Sequence, residues 1–353
     1  MGDDLIRALQ LQAGACKALG SGFSAALLER AAAEAASSGP TQALFAPWDQ
    51  ISTRDLMFHA VPLRWLGALH DIVLSGDAPG LAAAYPGADR PGDADQAWPE
   101  VLAVTTAQPA RIAAFMEHEP QTNEVRRSAC LLPGFLVAAE ATGLPLRVLE
   151  LGASAGLNQL WDRWRYRLGE VGDWGAAHAP VVLETEWRGP PPPLAAPVSV
   201  IARGACDRKP VDLTDPVARR RLEAYIWPDQ AERLERLKAA IAAALAAGVR
   251  VEAADAVAWT ARTAAPRAGA ATVVFHSVFF QYMPAQSQAA LIAALDAHGA
   301  AATPDAPLAW LRMEPPPNNL AAMELRLTMW PGGQERHLAN VHPHGAWVEW
   351  LGG

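Results

Sequence analysis

The spacing of apolar residues divides the chain into two stretches of different character. Over roughly the first 143 residues, apolar positions recur at helical spacing, as at Leu63, Leu66, Leu69 and Val73, and proline or glycine clusters separate the segments. The pattern predicts an all-helical N-terminal domain, 1–143, with no strand. Its helices are predicted over 1–36, 63–74, 98–117 and 124–142.

From residue 146, short apolar runs alternate with helical segments, which predicts a mostly parallel sheet covered by helices on both faces. We therefore predict an α/β fold in which a doubly wound, mostly parallel sheet with antiparallel C-terminal strands occupies a second domain, 144–353. An insertion is expected around 166–197. The parallel strands are predicted at 146–151, 198–202, 249–252, 272–275 and 308–313, and the later strands at 323–330, 335–341 and 346–351.

A glycine-rich turn follows the first predicted strand, with Glu150 before it and Gly152, Ser154 and Gly156 within it. The periodic segment after Gly156 predicts a helix. Glycine lets the backbone approach a ligand closely, and the start of a helix presents free N–H groups. The turn therefore indicates a ligand site, and the alternative is a strand-to-helix turn that only packs.

Each predicted parallel strand ends in polar residues where the chain should be apolar. Because the carboxyl ends of parallel strands meet at one crevice of a doubly wound sheet, these side chains are expected to lie around a common ligand. The residues are Glu150, Asp207, Asp255, His276 with Ser277, and Glu314.

Composition narrows the possible partners. The net charge of −8 and the pI near 5.6 argue against a general nucleic-acid surface, which would be basic. Three widely spaced cysteines give neither a disulfide framework nor a zinc site. No apolar run is long enough for a membrane span and the N-terminus is acidic, so we expect a cytoplasmic protein. His337, His342 and His344 lack a metal-binding spacing and favour structural roles.

The order of these motifs along the chain resembles class I, Rossmann-like S-adenosylmethionine-dependent methyltransferases. The motifs are the glycine loop, an acidic residue after the second strand, an Asp after the third, a polar pair after the fourth and an antiparallel tail. Ser154 departs from their usual loop, which often has glycine there. A further set of polar motifs spans nearly the whole chain: Gln121–Glu124, Arg127, 149–158, Asp162, Tyr166, Arg203, Asp207, Pro210, Asp212, Trp227–Asp229, 275–277, Gln281, Tyr282, His344 and Trp347. This set resembles an uncharacterised bacterial family, domain of unknown function 2332.

The methyltransferase resemblance implies S-adenosylmethionine as the cofactor. It implies that Asp207, or its rival Asp212, accepts hydrogen bonds from the ribose, that Asp255 binds the adenine amino group and that Glu150 faces the ammonium group. The plain alternative for Asp255 is a helix N-cap. The implied cofactor-binding residues are Glu150, Gly152, Ala153, Ser154, Gly156, Asn158, Asp207 and Asp255.

The same resemblance places the substrate beside the fourth strand. His276, with Ser277, would be the catalytic pair, because histidine can move a proton near neutral pH. The alternative is that His276 is a hydrogen-bonded strand-end residue. Substrate-binding residues are predicted in the motif before the turn and after the fourth strand, and Arg127 could hold a carboxylate. They are Gln121, Asn123, Glu124, Arg127 and Tyr282.

Three functions remain open on sequence alone. The first is a methyltransferase acting on an unknown small molecule, with the helical domain as a lid. The second is a non-catalytic protein that binds an adenosyl or nucleotide ligand. The third is an α/β hydrolase, because Gly152, Ser154 and Gly156 fit the nucleophile-elbow pattern G-x-S-x-G. Its triad would use an acid such as Asp255 and a late histidine, but an elbow normally follows several strands.

Overall fold

The structure is a computed structural model that describes residues 3–37, 39–87, 90–316, 319 and 322–352. The chain forms two compact units. The first unit comprises residues 1–122 with 214–238, and the second unit comprises residues 123–213 with 239–353. This division differs from the predicted boundary at residue 143, because the helix before the glycine turn belongs to the second unit.

Twelve α-helices and twelve strands are found in the described residues. The helices are α1 (Asp3–Ala18), α2 (Gly22–Ala36), α3 (Thr53–Phe58), α4 (Val61–Ser75), α5 (Pro79–Ala84), α6 (Ala94–Ala107), α7 (Pro109–Met116), α8 (Arg127–Thr142), α9 (Pro216–Ala224), α10 (Ala231–Ala246), α11 (Ala256–Thr263) and α12 (Ala285–Ala300). Short 3-10 helices cover Pro40–Trp48, Leu157–Arg163, Gly169–Val171 and Phe280–Tyr282.

The strands confirm the predicted change of pattern near residue 146. They are β1 (Leu146–Leu151), β2 (Arg165–Arg167), β3 (Asp173–Trp174), β4 (Val182–Glu184), β5 (Glu186–Arg188), β6 (Val200–Asp207), β7 (Glu252–Ala253), β8 (Ala271–Ser277), β9 (Leu308–Glu314), β10 (Glu324–Trp330), β11 (Gln334–Val341) and β12 (Trp347–Trp350).

The first unit is helical and carries a polar group in its core. Asp71 on α4 accepts hydrogen bonds from Arg111 and Arg220. His70 is buried, its Nδ1 lies 3.2 Å from the carbonyl oxygen of Ala224, and burial lowers its pKa to about 4.

A groove of about 550 Å³ in this unit is lined by segments around Phe23 and 90–96. None of the predicted site residues is among the described residues that line it.

The second unit is built on one nine-stranded sheet, in the order β5-β12-β11-β10-β9-β8-β1-β6-β7. Within this order, the five neighbouring strands β9, β8, β1, β6 and β7 are parallel. The strands β9, β10, β11 and β12 pair antiparallel, each with the next. The result is a mostly parallel central sheet with antiparallel C-terminal strands, as the sequence predicted. The predicted insertion supplies β5 and a separate three-stranded sheet, β3-β2-β4.

Helices cover both faces of the parallel strands. On one face, α8 packs so closely that a Cβ on Gly134 would lie 2.2 Å from Leu311 of β9. On the other face, Trp259 of α11 and Leu291 of α12 share a buried cluster with Val274 of β8. Burial on both faces explains why β1 and β8 are mostly apolar; Arg147 and Thr272 near their starts are buried and bonded to each other, and Glu150 and His276 lie near their carboxyl ends.

Candidate functional site

The order of the parallel strands reverses at β1. The chain builds β1, then β6 and β7 on one side, and returns to place β8 and β9 on the other side. In open α/β sheets such a reversal opens a crevice beyond the carboxyl ends of the two central strands. Here those ends are the Gly152–Gly156 turn after β1 and residues 278–282 after β8.

The glycine turn is held in a backbone conformation that side chains rarely adopt. Gly152, Ser154 and Gly156 have φ values of +63°, +53° and +74°. A Cβ on Gly152 would lie 2.1 Å from a ring carbon of Phe279, and one on Gly156 would lie 2.9 Å from Val249. Glycine is therefore required at both positions by backbone conformation and by space.

Most backbone N–H groups of this turn already have partners inside the protein. Ala153 N–H donates to the carbonyl of Cys206 at 3.1 Å, and Gly156 N–H donates to the carbonyl of Ala153 at 2.7 Å. Leu157 N–H donates to Asn123 Oδ1 at 3.0 Å. A phosphate cradle needs such N–H groups to point at the ligand, so the turn is poorly suited to a phosphate.

Asp207, at the end of β6, is bound to the turn. Its Oδ2 accepts from the Ser154 N–H at 2.9 Å, and its Oδ1 accepts from the Lys209 N–H at 2.8 Å. Its carbonyl accepts from the Ala254 N–H at 2.9 Å, which brings the end of β7 alongside. The structure thus joins the carboxyl ends of β1, β6 and β7 through one residue that the sequence had singled out.

Asp255 begins α11. Its Oδ1 accepts from the N–H groups of Val257 and Ala258 at 3.0 and 3.1 Å. This is the N-cap that the sequence offered as the plain alternative to adenine binding. The carboxylate is exposed, so a ligand contact stays a prediction beside the observed cap.

Glu150 is buried at the end of β1 and is only 4% exposed. Its Oε2 has no hydrogen-bond partner among the described residues. Burial, and secondarily the charge of Asp207, raises the pKa of Glu150 well above its usual value. Burial therefore disfavours the ionised form of this carboxyl group, and a nearby cation or hydrogen-bond donor would favour it.

His276 is fully buried near the end of β8, and both of its ring nitrogens are occupied. Trp310 Nε1–H donates to His276 Nε2 at 3.0 Å, so the proton lies on Nδ1, which donates to Glu314 Oε1 at 2.7 Å. His276 thus matches the alternative of a hydrogen-bonded strand-end residue. A role for His276 as a base stays a prediction, because the ring would first have to give up one of these two hydrogen bonds to reach a substrate. Ser277 beside it is half-buried.

The segment after Ser277 forms a strained aromatic turn, Val278–Tyr282. Val278 has φ of +53°, which is unusual for a β-branched residue. Glu314 Oε1 also accepts from the N–H groups of Phe279 and Phe280, at 2.9 and 3.1 Å. The Glu314 carboxylate therefore fixes this turn beside the glycine turn.

The predicted substrate-binding motif braces the glycine turn from the α8 side. Asn158 Oδ1 accepts from the Ser128 hydroxyl at 2.7 Å, and its Nδ2 donates to the carbonyl of Glu124 at 3.4 Å. Arg127 Nε donates to the carbonyl of Pro343 at 3.0 Å. With Asn123 bound to the Leu157 N–H, these observed contacts are internal to the protein. Cofactor binding by Asn158 and substrate binding by Asn123, Glu124 and Arg127 stay predictions.

Two remaining predicted residues are placed differently. Gln121 is half-buried and belongs to the first unit. Tyr282 is 59% exposed. Desolvation raises the pKa of Tyr282, Arg127 lowers it and Glu314 raises it, so these three side chains are electrostatic neighbours. Tyr282 therefore lies at the solvent-exposed end of the aromatic turn.

The segment after the glycine turn, for which the sequence predicted a helix, is a 3-10 helix over Leu157–Arg163. Residues 157–161 are all buried, and the backbone of Leu160 departs from helical angles. The Asn123 contact also takes up the N–H of Leu157. The helix-terminus site expected from the sequence is therefore not built here, which removes one source of anion affinity.

Sequence reasoning did not assign Phe279 and Trp310 and noted Glu314 only as a strand end. Their signal is tertiary, because the register of β8 and β9 pairs His276 with Arg312 and so sets Trp310 and Glu314 around the imidazole.

The Ser154 hydroxyl is buried with no hydrogen-bond partner among the described residues. Among the described residues, no histidine ring bonds to the Ser154 hydroxyl, so the structure does not assemble the hydrolase triad.

Two features are absent from the described residues. No helix among them is long and apolar enough to cross a membrane. Within the same ranges, no group of three or more His, Cys, Asp or Glu side chains is arranged to hold a metal ion.

Comparison with known proteins gives one match. Neither the curated proteins nor the solved structures contain a significant match to the chain. A family profile described as an uncharacterized protein conserved in bacteria, DUF2332, matches residues 7–350. By this match over almost its entire length, the chain belongs to the DUF2332 family of bacterial proteins.

Proposed function

We propose that the second unit binds S-adenosylmethionine at the strand-order reversal and transfers its methyl group to a small molecule. One observation carries the proposal: the Asp207 carboxylate, at the end of β6, binds the Ser154 N–H of the glycine turn after β1. A carboxylate and a glycine turn are thereby joined at the crevice where a Rossmann-like fold binds its ligand. In that position Asp207 would accept hydrogen bonds from the ribose hydroxyls.

Charge supports a cationic ligand over a phosphorylated one. The turn's N–H groups are largely taken up internally, and Glu150 and Asp207 lie beside it. A phosphate would meet few donors and two carboxyl groups, whereas a sulfonium or ammonium group would be attracted in a partly desolvated site. This favours an adenosyl sulfonium over NAD or ATP.

The proposed transfer does not depend on His276 as a base. Its ring is buried between Trp310 and Glu314, and methyl transfer to a substrate oxygen or nitrogen can rely largely on alignment. Ser277, half-buried at the strand end, would lie nearer the acceptor than His276. A ligand-binding protein without catalysis remains the second candidate, because the same geometry would serve it.

One observation favours the hydrolase alternative. Ser154 has φ of +53°, and the nucleophile of an elbow also lies in a strained turn after a strand. Against it, Ser154 N–H is committed to Asp207, and its hydroxyl lacks an imidazole partner among the described residues. Labelling of Ser154 by a fluorophosphonate would revive the hydrolase and contradict our proposal.

The direct test is calorimetric titration of the whole protein with S-adenosylmethionine, S-adenosylhomocysteine, NAD and ATP. We expect saturable binding of the first two and none of the others. Binding of NAD or ATP alone would overturn the proposal. If the adenosyl ligands bind, labelled methyl transfer to a metabolite panel would then separate a methyltransferase from a binding protein.

A matched pair of glycine variants locates the site. Gly152 and Gly143 share φ of +63°, but only a Cβ on Gly152 would meet an obstacle, the Phe279 ring. Gly152→Ala should abolish binding of S-adenosylhomocysteine, whereas Gly143→Ala should only lower stability by about 1 kcal/mol. Unchanged binding in Gly152→Ala would place the ligand elsewhere.

A further inference from the structure

The Phe279 ring occupies a defined place at the crevice. Three of its ring carbons would lie 2.1 to 2.9 Å from a Cβ built on Gly152, so the ring rests directly on the glycine backbone. It also meets His276 edge to face, with ring centroids 5.6 Å apart. Phe279 is half-buried and packs against the cluster that contains Leu149 and Leu151, so the residue keeps some exposed surface at the end of β8.

Glu314 determines where this ring lies. Its Oε1 accepts from the Phe279 and Phe280 N–H groups and from His276 Nδ1. Bonds to a carboxylate are stronger than bonds between neutral groups, so this one oxygen anchors the turn. The positive φ of Val278 is maintained by these contacts, because such a conformation persists only when its surroundings over-determine it.

We propose that Phe279 selects a sulfonium cation over a neutral thioether at this site, and that Glu314 is the positioning residue that holds Phe279 in place. The inference rests on the proposed function. An aromatic ring attracts a partly desolvated cation within about 6 Å of its centroid more strongly than it attracts a neutral thioether sulfur. The ring would therefore favour the methyl donor over the spent product, which has lost its charge, and so promote product exchange.

The neighbouring residue provides a matched control. Phe280 belongs to the same turn and is also anchored by Glu314, but its ring stacks on His276, with centroids 5.8 Å apart at an angle of 15°. Phe280→Leu removes the same number of aromatic atoms from the turn without removing the ring that rests on Gly152.

The experiment compares the Kd values of S-adenosylmethionine and S-adenosylhomocysteine by calorimetry. Phe279→Leu should weaken S-adenosylmethionine binding by about fivefold to tenfold, the range of a partly desolvated cation–π contact, and change S-adenosylhomocysteine binding by less than about twofold. Phe280→Leu should leave the ratio of the two Kd values unchanged. Each variant's affinity for the neutral ligand reports whether the site is still folded.

Glu314 variants test the positioning role. Glu314→Ala should shift the ratio of the two Kd values in the same direction as Phe279→Leu, although Glu314 is not proposed to touch the ligand. Glu314→Gln retains an acceptor for the two N–H groups and should restore much of the wild-type ratio. A general loss of packing would weaken both ligands together and would not be rescued selectively.

The outcomes separate this inference from the proposed function. If the wild-type protein binds neither adenosyl ligand, both fall. If it binds both and Phe279→Leu keeps the wild-type ratio, or Phe280→Leu alters the ratio equally, the selection by Phe279 is overturned while the proposed function stands. If only Glu314→Ala leaves the ratio unchanged, its positioning role is overturned.

Discussion

Two buried carboxyl groups at the ends of parallel strands, Glu150 on β1 and Glu314 on β9, have different surroundings. Oε1 of Glu314 collects three N–H donors from His276 and the aromatic turn. Oε2 of both groups is buried with no hydrogen-bond partner among the described residues, and desolvation raises the pKa of Glu150. Burial and an unpartnered oxygen are therefore common to both groups and do not by themselves identify a ligand site. The three donors on Oε1 show that Glu314 anchors the aromatic turn, whereas ligand recognition by Glu150 is our proposal.

The two groups also serve opposite faces of the sheet. Glu150 is in register with Phe275, whose ring packs against Phe135 of α8. His276, the next residue of β8, points to the other face, where its ring bonds to Glu314. The proposed ligand group Glu150 and the anchor of the aromatic turn thus lie on opposite faces, so each can be altered without direct contact with the other.

The largest expected effect is at Glu314. Glu314→Ala would leave the His276 Nδ1–H and two backbone N–H groups buried without their acceptor, so we expect a loss of about 3 kcal/mol in the free energy of unfolding. Urea unfolding followed by tryptophan fluorescence measures it. Glu349→Ala removes a carboxylate that bonds Asn340 at the surface and should cost under about 0.5 kcal/mol. Equal losses in the two variants would remove the contrast.

The next effect concerns Glu150 and has the opposite sign. Because its pKa is raised in the folded protein, the native state keeps a proton that the unfolded chain releases above its ordinary pKa near 4.3. The stability contributed by this group is therefore present at low pH and is lost as pH rises towards the folded pKa. Glu150→Gln removes the titration, so the variant should match the wild type near pH 4 and exceed it by about 1–2 kcal/mol at pH 8.

Unfolding curves of both proteins between pH 4 and pH 8 provide the check. A wild-type stability that rises across this range, relative to Glu150→Gln, would mean that Glu150 is ionised and paired in the native state. The same series with S-adenosylmethionine present should reduce the difference between the proteins, because the proposed ligand would favour the charged carboxylate.

The sequence predicted local features better than long-range contacts. Strand ends at Leu151, Ser277 and Glu314 were predicted within a few residues, because buried parallel strands are apolar until they reach the crevice. Asp207 was singled out for the same reason. The role of Phe279 was not predicted, since its contact with Gly152 depends on how β1 and β8 pair.

Two other features have tertiary causes. The segment after Gly156 shows helical periodicity and is helical, but it is a 3-10 helix, accompanied by the contacts of Asn123 and Asn158. The helix α8 reads like its helical neighbours in sequence, yet it covers a face of the sheet through Phe135 and so belongs to the second unit. Periodicity identifies an element but does not say which core it joins.

The smallest effect concerns the third acidic strand end, Asp255, which differs from both buried groups because it is exposed and caps α11. Asp255→Ala should lower the free energy of unfolding by about 1 kcal/mol, whereas Asp255→Ser retains a capping oxygen and should cost only a few tenths of that. The serine variant therefore isolates any ligand contact, since its shorter side chain caps the helix but lacks the carboxylate proposed to meet an adenine amino group. Weaker binding of S-adenosylhomocysteine in Asp255→Ser at unchanged stability would assign Asp255 to the ligand together with Glu150. Unchanged binding would leave Asp255 as a helix cap alone.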